Sequence, residues 1–146
     1  MKTIIEKVML LQNVEFFADI PTEQLSFLAT IAELRSLEKG ETLFRENEPS
    51  DALYIIGSGS IQLYQNEKAV GKMTENQAAG VLGFFDQKPR IFTAVCENTC
   101  QVLVINAIEF FDLLEDKVHI TKHLLRFFVS RLRTLYSRQN RPEEFV

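Results

Sequence analysis

The sequence of 146 residues contains no tryptophan, only two cysteines and only two histidines. Each scarcity closes a class of function. Cys96 and Cys100 lie four apart in a segment that reads as strand and turn. That is no zinc spacing, and a single pair builds no disulfide framework, so two buried thiols in a reducing compartment are expected. His119 and His123 stand four apart on one helical stretch, but Ile120 follows the first where a zinc peptidase needs glutamate, and there is no third histidine. They read as exposed helix residues, and no metal is expected. With no Ser-His-Asp set, reactive-cysteine neighbourhood or Walker glycine loop, the chain is not expected to be an enzyme. The opening MKTIIEKVMLLQ is interrupted by Glu6 and Lys7 and is too polar for a signal peptide or a membrane span. A cytoplasmic protein, or a cytoplasmic domain of a larger one, is the expectation.

What is present fits one domain, residues 1–146. Hydrophobic content of 46% with 25% charged residues suits a folded core without disulfides or metal, and twelve phenylalanines make that core aromatic. A net charge of −4 argues against a chain that binds nucleic acid along its length.

The hydrophobic period changes twice. Thr3 to Gln12 reads as a helix with Thr3 and Glu6 as a capping box and Ile4, Ile5, Val8 and Leu11 on one face. Asn13 to Ile20 reads as a connector anchored by Phe16 and Phe17, and a second helix starts at Pro21-Thr22 with Thr22 as its N-cap. From Leu34 the period becomes two. Short strands are predicted at 34–37, 42–44, 53–56, 60–65, 69–73, 91–96 and 101–105, separated by turn residues such as Lys39-Gly40 and Gly57-Ser58-Gly59. Asn106 then caps a helix from Ala107 to Leu114 with Glu109 as its N3 partner, and a longer helix runs from Val118 to Arg138. The predicted fold is mainly β, a jelly roll (double-stranded β-helix) over residues 34–105. Helices at 1–33 and 106–138 flank it, and 139–146 form a tail.

Within the roll, Ala79 to Cys96 reads AGVLGFFDQKPRIFTAVC. A short apolar helical turn opening at Gly80 would present unpaired backbone N–H groups to an anion, and Arg90, ten residues on, carries a planar fork matched to phosphate. The segment resembles the phosphate-binding cassette of the cyclic-nucleotide-binding domains, of the kind in cAMP-receptor proteins and protein-kinase-A regulatory subunits. Gly80 takes the place of that cassette's first glycine, Gly83 of its small residue, Pro89-Arg90 of its Pro-Arg pair and Thr93 of its threonine. Upstream, Asn47 stands where the family has a glycine, Ser50 replaces a second small residue, and Leu53-Tyr54-Ile55-Ile56 and Gly59 match. Asparagine is the next-best residue for a left-handed backbone.

The resemblance implies that Arg90 and the turn amides of Gly80, Val81, Leu82 and Gly83 hold a phosphate, with Thr93 beside them and the last helix closing over the base. Three positions depart from the pattern. The ribose-binding glutamate is Val81, and two small residues after the arginine are Ile91 and Phe92. Val81 accepts no hydrogen bond, and a ribose hydroxyl left unpaired costs about 1–3 kcal/mol. If Ile91 and Phe92 lie on a strand, at most one of them intrudes on the pocket. Binding of cAMP or cGMP is therefore expected to be weak or absent. No resident cofactor is implied; a cyclic nucleotide or another small anion remains the ligand type. Two plainer readings stand beside this one. Arg90 could be a surface arginine paired with Asp86 or another acid on the roll, and the two glycines could serve only tight packing.

On the last helix, positions 118, 121, 125, 128, 132 and 135 form a heptad seam that includes Leu125, Phe128, Leu132 and Leu135, with Ile120, Leu124 and Phe127 as a second row. Two rows suggest two partners, the roll and a second chain, so a homodimer through this helix is the alternative function; one wide stripe buried in the domain is the competing reading. From Lys117 to Arg141 there are seven basic residues and no acidic one. A DNA-binding domain after the helix is not expected, nor therefore a complete transcription factor.

Overall fold

The computed structural model describes residues 2–139. Helix α1, Ile4–Gln12, starts where Thr3 accepts the Glu6 N–H at 3.2 Å and buries Val8 and Leu11. Ile5, placed on the apolar face by its spacing, is exposed. A 3-10 turn at Glu15–Phe17 buries Phe16 and Phe17, and α2 spans Thr22–Ile31. Pro21, not Thr22, holds the N-cap position, because the proline ring already fixes the entry backbone. The Thr22 hydroxyl instead accepts from Gln12 Nε2 at 3.0 Å and ties the two helices together.

Eight strands follow: β1 Ala32–Leu37, β2 Thr42–Phe44, β3 Ala52–Ser58, β4 Ile61–Gln65, β5 Lys68–Met73, β6 Ala78–Ala79, β7 Thr93–Cys96 and β8 Cys100–Asn106. A four-residue turn, α3, covers Val81–Phe84 between β6 and β7. The strands make two four-stranded antiparallel sheets, in the orders β1-β8-β3-β6 and β2-β7-β4-β5. Strand β6 is two alanines long and pairs only Tyr54 with Ala79 and Ile55 with Ala78, so no alternation marks it in the sequence. Residues 91 and 92 lie in a bend before β7 rather than on the strand.

Strand β3 explains the continuous run Leu53-Tyr54-Ile55-Ile56. Leu53 and Ile55 face a core shared with the helices, whereas Tyr54 and Ile56 face the space between the sheets. A strand covered on both sides loses its polar positions. Helix α4, Ala107–Asp116, is capped by Asn106, whose Oδ1 accepts the Glu109 N–H at 3.1 Å, and α5 runs from Val118 to Gln139. The expected tail at 140–146 lies outside the described residues. Among the described residues no helix is long and apolar enough to cross a membrane.

Eight phenylalanines form a chain of mostly edge-on contacts: Phe16 and Phe17, Phe84 and Phe85, Phe110 and Phe111, Phe127 and Phe128. Phe85 lies 5.1 Å from Phe128 between centroids, so the turn after Gly80 is packed directly on α5.

Candidate functional site

The site is built where β6 leaves the first sheet. Gly80 turns the chain at φ 91°, and a Cβ there would collide with Arg90 Nη1. The turn that follows is not the regular helical turn expected. Leu82 is extended at ψ 127° and Gly83 sits at φ 100°, so the backbone kinks and Leu82 is thrown outward, 61% exposed. At Gly83 a Cβ would meet the Ser50 hydroxyl and the Lys88 carbonyl, which are themselves joined by Ser50 Oγ donating to Lys88 O at 2.6 Å. Gly80 and Gly83 are thus required by packing, independently of any ligand.

The turn before β3 locks the other side. Asn47 adopts φ 69°, as its place in the motif predicts, and its N–H donates to the Arg90 carbonyl at 2.8 Å while Arg90 N–H donates to Glu48 O at 2.9 Å. This backbone clasp points the Arg90 side chain inward. The result corrects the expectation of a surface arginine, since Arg90 is 2% exposed, and the acid on the roll that it pairs with is Asp51 rather than Asp86. Its Nη2 donates to Ala52 O at 2.6 Å, its Nη1 to Gly80 O at 3.2 Å, and its guanidinium carbon lies 4.2 Å from the Phe44 ring centroid. The nearest carboxylate oxygen belongs to Asp51, 3.6 Å from Nη2, on a side chain that is 79% exposed. The buried Nε–H has no partner among the described residues. Burial pushes the Arg90 guanidinium below its usual range, with Tyr54 and Asp51 acting against that shift.

Arg90 opens onto a cavity of about 210 Å³ lined by Phe44, Leu63, Met73, Ala78, Gly80, Val81, Leu82, Arg90, Ile91 and Phe92. Val81, Ile91 and Phe92 all contribute. The expectation that only one of Ile91 and Phe92 could intrude fails, because alternation holds on a strand and these two residues sit in a bend. Gly83 and Thr93 are not among the lining. Gly83 is buried behind the turn, and Thr93 Oγ1 accepts the Glu46 N–H at 3.0 Å, fastening β7 to the β2–β3 turn. Phe44, Tyr54 and the Ala52 carbonyl, which surround the arginine, carried no signal of that role in the sequence. Two of them act through an aromatic face and one through the main chain.

Helix α5 flanks the cavity rather than covering it. Phe127, Phe128 and Arg131 line a neighbouring cavity of about 290 Å³ that shares Met73, Ala78 and Val81 with the first. Arg131 forms an ion pair with Glu15. Ile120 and Leu124 are buried against the domain. Phe128, grouped by its spacing with Leu125, Leu132 and Leu135, belongs to the inner aromatic cluster. Val118, Leu125, Val129, Leu132 and Leu135 are left exposed, Leu125 by 65%. His119 is exposed and His123 half-buried, and among the described residues no three His, Cys, Asp or Glu side chains gather as a metal site. The two thiols are buried, and burial, together with Cys100, pushes Cys96 up to about 12.

Comparison with known proteins agrees with this fold. The cyclic nucleotide-binding domain family matches residues 34–117. An uncharacterized NTE family protein of Mycobacterium tuberculosis is 33% identical over 133 residues, which is 90% of this chain and 22% of that protein. A CRP-like cAMP-activated global transcriptional regulator of the same species is 30% identical over 100 residues, covering 65% of this chain and 45% of the regulator. The chain therefore spans about a fifth to a half of the length of these relatives. Among solved structures, the N-terminal domain of a transcriptional regulator from Streptomyces coelicolor superposes with a TM-score of 0.81 at 26% identity, covering 88% of this chain and 95% of that one. From the two antiparallel sheets, the flanking helices and these matches, the chain belongs to the cyclic nucleotide-binding domain family.

Proposed function

We propose that this is a non-catalytic regulatory domain whose cassette no longer takes cAMP or cGMP in the family's usual way. The observation that carries the reading is the state of Arg90. Two of its terminal nitrogens already donate to the Ala52 and Gly80 carbonyls, while Val81, Ile91 and Phe92 present hydrocarbon to the cavity beside it. A ribose hydroxyl entering there meets no acceptor at Val81, and a phosphate, which brings several acceptor oxygens, meets a guanidinium whose two terminal nitrogens are already engaged. Each loss is worth about 1–3 kcal/mol. The mycobacterial regulator named as cAMP-activated is thus a guide to the fold of this chain and a contrast in its ligand chemistry.

Regulation would pass through the aromatic chain. A change at the Gly80–Phe85 turn moves Phe85, which packs on Phe16 and Phe128, and so reaches α5 and its Arg131–Glu15 ion pair. Titrating cAMP and cGMP while following heat and melting temperature tests the reading. No saturable response at micromolar nucleotide is expected, and stabilisation lost in Arg90→Ala would refute it.

A second reading rests on a different observation, the exposed row Val118, Leu125, Val129, Leu132 and Leu135 on α5. It lies away from the face that docks on the domain, and a second copy of the chain would cover it, making the domain a dimerisation module. Sedimentation equilibrium separates the two readings, because dimerisation needs no ligand.

A further inference from the structure

We propose that the cavity beside Arg90 binds a small apolar carboxylate, a single ring or short chain carrying one acid group. The inference rests on the reading that the cassette has ceased to take a cyclic nucleotide, and it names what the remodelled site suits instead. Three features of the site support it.

The first is the distribution of polarity. Arg90 is the one polar side chain among the lining residues, and the rest of the wall is hydrocarbon, chiefly Phe44, Leu63, Met73, Leu82, Ile91 and Phe92. A sugar would bring several hydroxyls to a wall without acceptors, and each would enter unpaired. A ring or alkyl chain has no such groups to satisfy.

The second is the state of the cation. Arg90 is buried, its Nη groups donate to neutral carbonyls, and its Nε–H is without a partner among the described residues. The carboxylate that pairs with it, Asp51, is mostly in solvent, and Glu48 also acts on its charge. The charge is therefore only partly compensated, and burial depresses the guanidinium for that reason. One anionic group would complete the compensation, and the Nε–H, sealed from solvent and without a partner among the described residues, is the donor it would satisfy.

The third is size. A cavity of about 210 Å³ exceeds the roughly 150 Å³ that holds a benzene ring, and falls below the roughly 300 Å³ at which drug-sized pockets begin. Leu82 and Ile91, both exposed, form an apolar rim that a ligand of this kind would cover.

The probe is phenylacetate, titrated calorimetrically into the full chain, with 2-phenylethanol as its uncharged analogue and cAMP in parallel. A dissociation constant of about 0.1–1 mM is expected for phenylacetate, and binding at least about tenfold weaker for the alcohol. Arg90→Gln should abolish the difference between them. Because Arg90 also braces the turn, a second variant, Ile91→Glu, places an acid at the exposed rim without touching the core and should weaken phenylacetate by about tenfold or more. Absence of saturable phenylacetate binding, equal binding of the alcohol, or indifference to Ile91→Glu would each overturn the inference. If cAMP is silent in the same experiment, the reading of a lost nucleotide site survives that failure; if cAMP saturates at micromolar concentration, that reading falls too.

Discussion

The Arg90 guanidinium carbon lies 4.2 Å from the centroid of the Phe44 ring, on a side chain that also bridges the Ala52 and Gly80 carbonyls. The arginine thus holds the start of β3 to the turn after β6 before any ligand arrives. Arg90→Lys should lower the stability of the ligand-free protein by about 2 kcal/mol, because an ammonium neither stacks on the ring as a plane nor spans two carbonyls as a fork. Urea unfolding measures this. An unchanged midpoint would mean that the arginine serves only a ligand.

Gly83 is confined in a second way, by a positive φ and by the Ser50–Lys88 hydrogen bond across its missing Cβ. Gly83→Ala should cost about 1–3 kcal/mol. Gly71 in β5 has open space around it and no positive φ, so Gly71→Ala is the matched control and should be close to neutral. Thermal melts of the two variants side by side test whether the cassette glycines act through packing.

The outline of the fold was readable because periodicity reports burial. The change from a period of 3.6 to one of two falls near the observed helix-to-strand boundary at Ala32, and Asn47 at φ 69° stands where a left-handed residue was expected. The site was less readable. Strand β6, two alanines long, leaves no pattern. The partners of Arg90 are main-chain carbonyls, which every residue carries, so no residue type announces them. The bend at Ile91-Phe92 removed the alternation from which their directions were argued. On α5 the spacing placed Phe128 with Leu125 and Leu132, whereas the packing of Phe16 and Phe85 draws it inward.

If the exposed row of α5 meets a second copy, Leu125→Glu with Leu132→Glu should shift sedimentation equilibrium to the monomer and leave the melting temperature at low protein concentration nearly unchanged, since both side chains are exposed. Lys122, Arg126 and Arg133 lie on the same helix, which has no acidic residue from 118 to 139. Paired parallel copies would repel one another, so the dimer should tighten as salt rises and screens those charges. Weakening by salt would point to an acidic partner instead.

Cys96 stays neutral in the folded protein up to about 12, whereas an unfolded thiol ionises near 9.0. Between those values the unfolded state holds fewer protons, so stability is complete below about pH 9 and declines as pH rises toward 12. Tyr54, raised first by burial and then by Asp51, acts in the same direction at higher pH. A loss of about 2–3 kcal/mol between about pH 9 and 11 is expected, and Cys96→Ala should flatten the first part of that slope. A wild-type slope retained in the variant would assign the alkaline loss to other groups.

The most direct measurement is a calorimetric titration of cAMP into the wild-type chain and into a variant carrying Val81→Glu, Ile91→Ser and Phe92→Ala. The account predicts no saturable heat at micromolar nucleotide for the wild type, and binding recovered by at least about tenfold to a hundredfold once an acceptor and space are restored beside Arg90. Micromolar binding by the wild type, with no gain in the variant, would contradict it.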